Sequence, residues 1–265
     1  MLIDTHCHLD AAEFFGRGQQ LAHTAQQGGV QRIVIPAVRR ANFEPVSKLA
    51  QLINPVGAYA LGIHPLHVPD ADETDLAYLR EAVERAMADQ YFVAIGEIGL
   101  DFFVPELCTA EMRDKQSYFY RQQLRIAGHF KLPVLLHVRR SVDQILKGLR
   151  QIPVSGGIAH AFNGSDQQAA MLIKLGFKLG FGGAMTYTRA LQIRRLASSL
   201  PLSALVLETD SPDIPPSWLA DEPNTPAQLT RIASVLAELR NLPFDAVADA
   251  TTANAYAVLP RLINK

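Results

Sequence analysis

Residues 1–10 read MLIDTHCHLD, and the fold turns on why His6 and His8 stand one residue apart so near the start of the chain. The run before them, Leu2-Ile3-Asp4-Thr5, has the apolar and β-branched bias of a short buried strand. Side chains two apart on a strand point to one side, so the two imidazoles can be aimed at one object. The competing reading is an ordinary strand end with two partly exposed histidines, and this stretch alone weighs the two equally. Cys7, between them, faces the other way and reads as a small core residue.

Outward from this stretch, short apolar runs recur, each followed by a longer segment with helical periodicity. The runs are 2–5, 32–36 (RIVIP), 56–62 (VGAYALG), 92–96 (FVAIG), 133–136 (PVLL), 157–159 (GIA), 177–181 (FKLGF) and 205–207 (LVL). The intervening segments 19–27, 43–52, 76–88, 111–130, 142–149, 166–175 and 189–199 read as helices, followed by 226–239 and a C-terminal helix at 243–259. Strands alternating with helices predict parallel βα units, and eight of them predict a closed (β/α)8 TIM barrel of the α/β class. An open doubly wound sheet is the alternative. No linker, low-complexity segment or internal repeat stands out, so one domain over 1–265 is expected.

The residues after each run carry the chemistry. The first run leads into His6 and His8, and the third into GIHPLH with His64 and His67. The fourth leads into GEIGLDFF with Glu97 and Asp101, and the fifth into LLHVRRS with His137, Arg139 and Arg140. The sixth leads into IAHAFNGS with His160, and the eighth into LVLETDSP with Glu208 and Asp210. A lone histidine at a strand end is ordinarily solvated or hydrogen-bonded. That explanation weakens when five strands end in candidate ligands (His6 and His8, Glu97, His137, His160, Asp210), because a barrel gathers its C-terminal strand ends at one mouth. His23 and His129 fall within helical segments and read as surface or structural residues; the role of His67 stays open. Imidazole plus carboxylate, without converging thiolate, suits Zn2+, Mn2+ or Mg2+ at a hydrolytic site. Four histidines and two carboxylates exceed one tetrahedral shell, so two divalent ions sharing a bridging carboxylate are expected.

Composition narrows the function classes. Of 265 residues, 48% are hydrophobic and 19% charged, which describes a well-cored globule rather than a disordered chain. A net charge of −1 provides no general basic field for nucleic acid, so contact with an anionic polymer must rest on a local site. Two cysteines make no disulfide framework and point to a reducing, cytoplasmic setting. Asp4 and His6 interrupt any leader-like apolar stretch, and no run reaches the ~18 apolar residues of a membrane span. No membrane association and no obligate protein partner are expected, with a monomer as the default.

At DTHCHLD, GIHP, AIGEIGLDFF, LLHVRRS, HAFNGS, LVLETDSP and the C-terminal TTANAYAVL, the chain resembles the TatD family of metal-dependent hydrolases, nearest its YjjV-type branch. The pieces keep the family's order from Asp4 to Leu259. The resemblance implies a TIM-barrel hydrolase with 3′–5′ deoxyribonuclease activity on single-stranded or frayed DNA ends. It implies that His6, His8 and Asp210 hold one ion and His137 and His160 the other, with Glu97 bridging. Asp210 would also take a proton from the attacking water, and His64 would contact the phosphate or leaving group, with a supporting hydrogen-bonding role weighed equally. Two departures bear on substrate: Pro223 stands where the family commonly has Arg before Asn224, and Ala161 and Asn163 replace small polar residues. Arg139 or Arg140 could fork onto a phosphate instead, Arg139 the better placed, and the alternative is a solvated pair capping the start of the next helix. Gly182-Gly183 through Tyr187 lie where barrels often bind phosphate; Tyr187 could stack on a base, or the loop could simply pack. Ser165 reads as a helix N-cap. The alternative is an amidohydrolase or esterase cleaving a C–N or ester bond of a small or aminoacyl substrate at the same centre. A catalytically silent metal- or RNA-binding module fits less well, having no need of an open two-ion site.

Overall fold

The computed structural model describes residues 1–219 and 222–263. Strands β1 (Leu2–Asp4), β2 (Val30–Pro36), β3 (Gly57–Leu61), β4 (Phe92–Asp101), β5 (Val134–Arg139), β6 (Gly157–Ala159), β7 (Phe177–Phe181) and β8 (Leu205–Leu207) pair in parallel in chain order. The helices are α1 (Gly18–Gln27), α2 (Phe43–Leu52), α3 (Glu73–Ala86), α4 (Ala110–Phe130), α5 (Val142–Gln151), α6 (Asp166–Lys174), α7 (Leu191–Ser199), α8 (Leu229–Arg240) and α9 (Phe244–Val258). The ring closes between β1 and β8: the Thr5 N–H donates to the Leu207 carbonyl at 3.1 Å and the Asp210 N–H to the His6 carbonyl at 2.8 Å. This is the (β/α)8 barrel of the sequence reading, not an open sheet. Among the described residues no helix is long and apolar enough to cross a membrane.

Two cores follow from the period-2 alternation of the strands. One face of each strand packs outward on the helices, and Cys7 belongs to that shell, fully buried. The other face fills the barrel: Ile3, Val34, Leu135, Ile158 and Val206 meet Val258, Leu259 and Leu262 from the C-terminal segment, which plugs the bottom. Two residues farther up, Leu135, Ile158 and Val206 become His137, His160 and Glu208. The alternation that fills the core therefore also aims polar groups into the mouth.

Strand β4 and helix α3 depart from their sequence patterns. β4 continues to Asp101 instead of ending at Gly96, because Ile98, Gly99, Leu100 and Asp101 pair with Leu136, His137, Val138 and Arg139 after a register shift that spans Glu97. Gly99, at φ +148°, permits this close pairing; a β-carbon there would run into the His137 carbonyl. α3 starts three residues before the expected 76, where Asp72 accepts the Thr74 N–H and Asp75 returns a bond to the Asp72 N–H.

Asp4 locks the closure. It is fully buried, and Oδ1 accepts the N–H of Thr209 at 2.9 Å while Oδ2 accepts the Thr209 hydroxyl at 2.6 Å. Burial pushes its carboxyl up to about 7 against those hydrogen bonds. Asp4→Ala would strand the Thr209 donors in the interior and lower stability by about 2–4 kcal/mol. Urea unfolding followed by circular dichroism checks this; an unchanged midpoint contradicts it.

Candidate metal centre

Each strand end sends its polar group toward one point. Beyond β1 the chain is stitched to the segment after β8, with the His8 N–H donating to the Ser211 carbonyl at 2.8 Å, so His6 and His8 lie opposite Asp210. Asp210 itself takes the left-handed conformation, φ +55°, which turns its carboxylate inward. Glu97 sits at the β4 irregularity with its N–H donating to the Ala37 carbonyl at 2.9 Å.

The Glu97 carboxylate is the hub, its side chain only 2% exposed. Oε2 lies 3.1 Å from His6 Nε2 and 3.3 Å from His8 Nε2. Asp210 Oδ1 completes that side at 3.6 and 3.7 Å from the same two nitrogens. Oε1 faces the other way, 2.8 Å from His160 Nε2, 3.0 Å from His137 Nδ1 and 3.3 Å from His64 Nε2. The two carboxylate oxygens thus divide the imidazoles into two sets. Charge follows geometry. Burial opposes ionisation of Glu97, yet the surrounding histidines hold its carboxyl well below the usual range. Burial depresses His6 to about 3, whereas His8 and His160, despite burial, are raised to about 9 and about 10 by Glu97 and Asp210. Burial raises Asp210.

The donor set fits divalent ions. Within the first set His6 Nε2 and His8 Nε2 are 3.3 Å apart, and in the second His160 Nε2 and His137 Nδ1 are 3.4 Å apart. Tetrahedral ligands about 2.0–2.1 Å from an ion lie ~3.3 Å from each other. Two bare imidazole nitrogens repel at that spacing unless a proton or a cation is shared between them. His6, His8 and Glu97 form one group able to hold an ion and His6, His160 and Asp210 another; His64, Glu97 and His137 lie equally close to one another.

Hydrogen bonding sorts the imidazoles. Asp101 Oδ2 accepts from His137 Nε2 at 3.0 Å, which leaves the Nδ1 lone pair free for the centre. Asp101 is fixed in turn, its Oδ1 accepting the N–H groups of Phe103 at 2.8 Å and Val104 at 3.0 Å. Against its burial, these bonds hold Asp101 down at about 2. His64 is the reverse case. Its Nδ1 accepts the Leu66 N–H at 3.1 Å, so in the neutral ring, to which burial shifts it by lowering its pKa to about 4, Nε2 carries the proton and donates to Glu97. His64 therefore presents a donor, not a lone pair, to the centre.

The remaining sequence candidates separate clearly. Arg139 and Arg140 stand exposed at the rim, with Arg139 Nη1 3.9 Å from Asp101 Oδ2. Tyr187 is engaged in packing, its hydroxyl donating to the Pro215 carbonyl at 3.1 Å. Ser165 caps α6, its Oγ accepting the Gln168 N–H at 3.2 Å. His23 and His129 are exposed on α1 and α4, far from the centre in the fold. His67 is half-buried beside a side cavity of about 370 Å3 lined also by Arg39, Arg40 and Asp70. Asn224 is structural: its Nδ2 donates to the carbonyls of Thr209 at 2.8 Å and Asp213 at 2.7 Å, pinning the segment that carries Asp210. Sequence reasoning gave no role to Asp101 or Glu208. Glu208 could have been placed by counting two residues from Val206. It packs over Gly180, accepts the Ala161 N–H, and is pushed by burial up to about 8.

Comparison with known proteins adds to this geometry. The chain is 40% identical over 258 residues to an uncharacterized metal-dependent hydrolase of Haemophilus influenzae, covering 96% of this chain and 98% of that one. It is 40% identical over 258 residues to the uncharacterized metal-dependent hydrolase YjjV of Escherichia coli, covering 97% and 96%. The crystal structure of Escherichia coli YjjV, a TatD homologue, superposes with a TM-score of 0.91 at 38% identity over 98% of each chain. The family model described as TatD related DNase matches residues 3–260, and with that match the chain belongs to the TatD family of metal-dependent hydrolases.

Proposed function

We propose that this chain holds two divalent ions and is a phosphodiesterase, acting as a 3′–5′ deoxyribonuclease on single-stranded DNA ends. The observation that carries the reading is the division of Glu97, one oxygen toward His6 and His8 and the other toward His137 and His160. In this reading His6, His8 and Asp210 hold one ion, His137 and His160 hold the other, and Glu97 bridges. When bound, the ions supply Lewis acidity toward the scissile phosphate and its attacking water. The family description, TatD related DNase, supports a nucleic acid substrate.

The protein's own groups then have distinct tasks. Asp210, raised by burial and 10% exposed, takes the proton of the attacking water. His64 Nε2–H donates to a phosphate or leaving-group oxygen, exchanging its bond to Glu97 for one to substrate. Arg139 pairs with a phosphate oxygen at the rim, in place of the arginine that Pro223 replaces. His8, 17% exposed, and Asp210 leave the first set open on the side from which substrate enters. Cleavage of an amide or ester bond by the same groups is the second reading, favoured only by Pro223.

Asp210→Asn should lower turnover by about 10²–10⁴-fold, and Glu97→Gln at least as much, with native circular dichroism in both. Near-normal turnover in either variant contradicts the assignment. End-labelled single-stranded DNA, RNA and a panel of amides, each with Mg2+, Mn2+ or Zn2+, separates the two readings; no nucleotide release under any ion rejects the nuclease. Saturating Zn2+ or Mn2+ should raise Tm by ~5–10 °C over chelated protein, as expected for a ligand at about a hundred times its Kd. Asp101→Asn should weaken one of two bound ions by about 10–100-fold and leave the other unaffected, read by calorimetric titration. Equal weakening of both contradicts the assignment of His137 to one set.

A further inference from the structure

Strands β4 and β5 leave the barrel side by side beneath a small stack of an aromatic ring and two cations. Phe102 turns inward and is buried, so Phe103, next in the chain, turns outward and is 42% exposed. The guanidinium carbon of Arg139 lies 3.8 Å from the Phe103 ring centroid and that of Arg140 lies 4.6 Å from it. Among the described residues neither guanidinium comes closer to a carboxylate than the 3.9 Å between Arg139 and Asp101 Oδ2. Their charge is therefore left largely unneutralised at the rim.

The backbone beneath the stack is fixed by hydrogen bonds. The Phe102 N–H donates to the Arg139 carbonyl at 2.9 Å, the Phe103 N–H to Asp101 Oδ1 at 2.8 Å, and the Ser141 hydroxyl to the Leu100 carbonyl at 2.7 Å. Arg140 holds the left-handed conformation at φ +54°, which costs a β-carbon-bearing residue about 1 kcal/mol or more. Asp101 joins the stack to the centre, since its other oxygen holds His137.

An exposed group of one aromatic ring and two planar guanidiniums matches one chemical unit well, an unstacked nucleobase with its phosphate. We propose that Phe103, Arg139 and Arg140 form a nucleotide subsite flanking the metal centre. The base of a single-stranded substrate lies against the stack, and its phosphate meets the guanidiniums. A duplex hides both base faces between neighbouring pairs, so the subsite selects single strands. This inference rests on the nuclease reading above and names the nucleotide that flanks the cleaved bond.

The test uses ion-loaded protein and a fluorescent, phosphorothioate-linked oligothymidylate, with binding read by anisotropy. Phe103→Ala should weaken binding by about 10-fold or more, the range of one base–aromatic stack. Phe15→Ala, which truncates an exposed phenylalanine on the loop after β1, should leave binding unchanged. An abasic residue moved one nucleotide at a time from the 3′ end should weaken wild-type binding at a single position by the factor seen for Phe103→Ala, and add nothing in that variant. Unchanged binding by Phe103→Ala, or an abasic penalty that persists in it, overturns the subsite even where the wild type cleaves DNA. Weakened binding by Phe103→Ala in a protein that cleaves no DNA rejects the nuclease reading and keeps the subsite.

Discussion

A single buried carboxylate organises the mouth of this barrel. Glu97 is withdrawn from water and faced by five imidazoles, at 2.8 to 3.3 Å from its two oxygens. Burying a carboxylate without compensation costs several kcal/mol, and the histidines compensate it here. The compensation is divided between two sides, and that division gives the centre two compartments where a lone carboxylate–histidine pair would give one. Every other polar group of the mouth takes its place relative to this split. Asp210 completes one side, Asp101 fixes His137 on the other, and His64 donates from the rim.

Holding donor atoms this close requires a stiff frame, which closure of the ring supplies. The stitches between the segments after β1 and β8 bring His6, His8 and Asp210 together by backbone bonds, independent of the side chains themselves. Asp4 and Thr209 seal the same seam from below, and Asn224 pins it from outside. Conformational strain gathers here too. Asp210, Ala161 and Arg140 all hold positive φ just beyond a strand. Non-glycine residues keep that conformation only where surrounding bonds determine it, as they do here. The frame thus spends stability to aim side chains at the mouth.

Much of this was legible in the chain because two periodicities agree. Alternation along a strand sets which side chains enter the barrel, so His137 and His160 follow directly from Leu135 and Ile158 two residues earlier. What escaped was whatever breaks the alternation. β4 looked finished at Gly96 because Glu97, Gly99 and Asp101 interrupt the apolar run, yet backbone pairing with β5 carries it five residues farther. Asp101 and Glu208 were visible as acids at strand ends, but their partners are long-range, and a sequence does not reveal which nitrogen of a histidine a distant carboxylate will hold. The clamp role of Asn224 was hidden for the same reason.

His64 shows how much a local bond can decide. Distance alone would group it with His137 as a ligand, since both reach the same oxygen of Glu97. The Leu66 N–H, supplied by the tight turn at Pro65–His67, occupies Nδ1 and leaves the proton on Nε2. His137 is set the opposite way by Asp101, with its proton on Nε2 and its lone pair inward. Two histidines 4.4 Å apart, centroid to centroid, thus offer the centre a donor and an acceptor. That asymmetry puts a hydrogen-bond donor at His64 and an electron-pair donor at His137, both facing the same oxygen of Glu97. The exposed cations beside His137, Arg139 and Arg140, stand at the end of β5, on the side of the mouth where Asp101 holds His137.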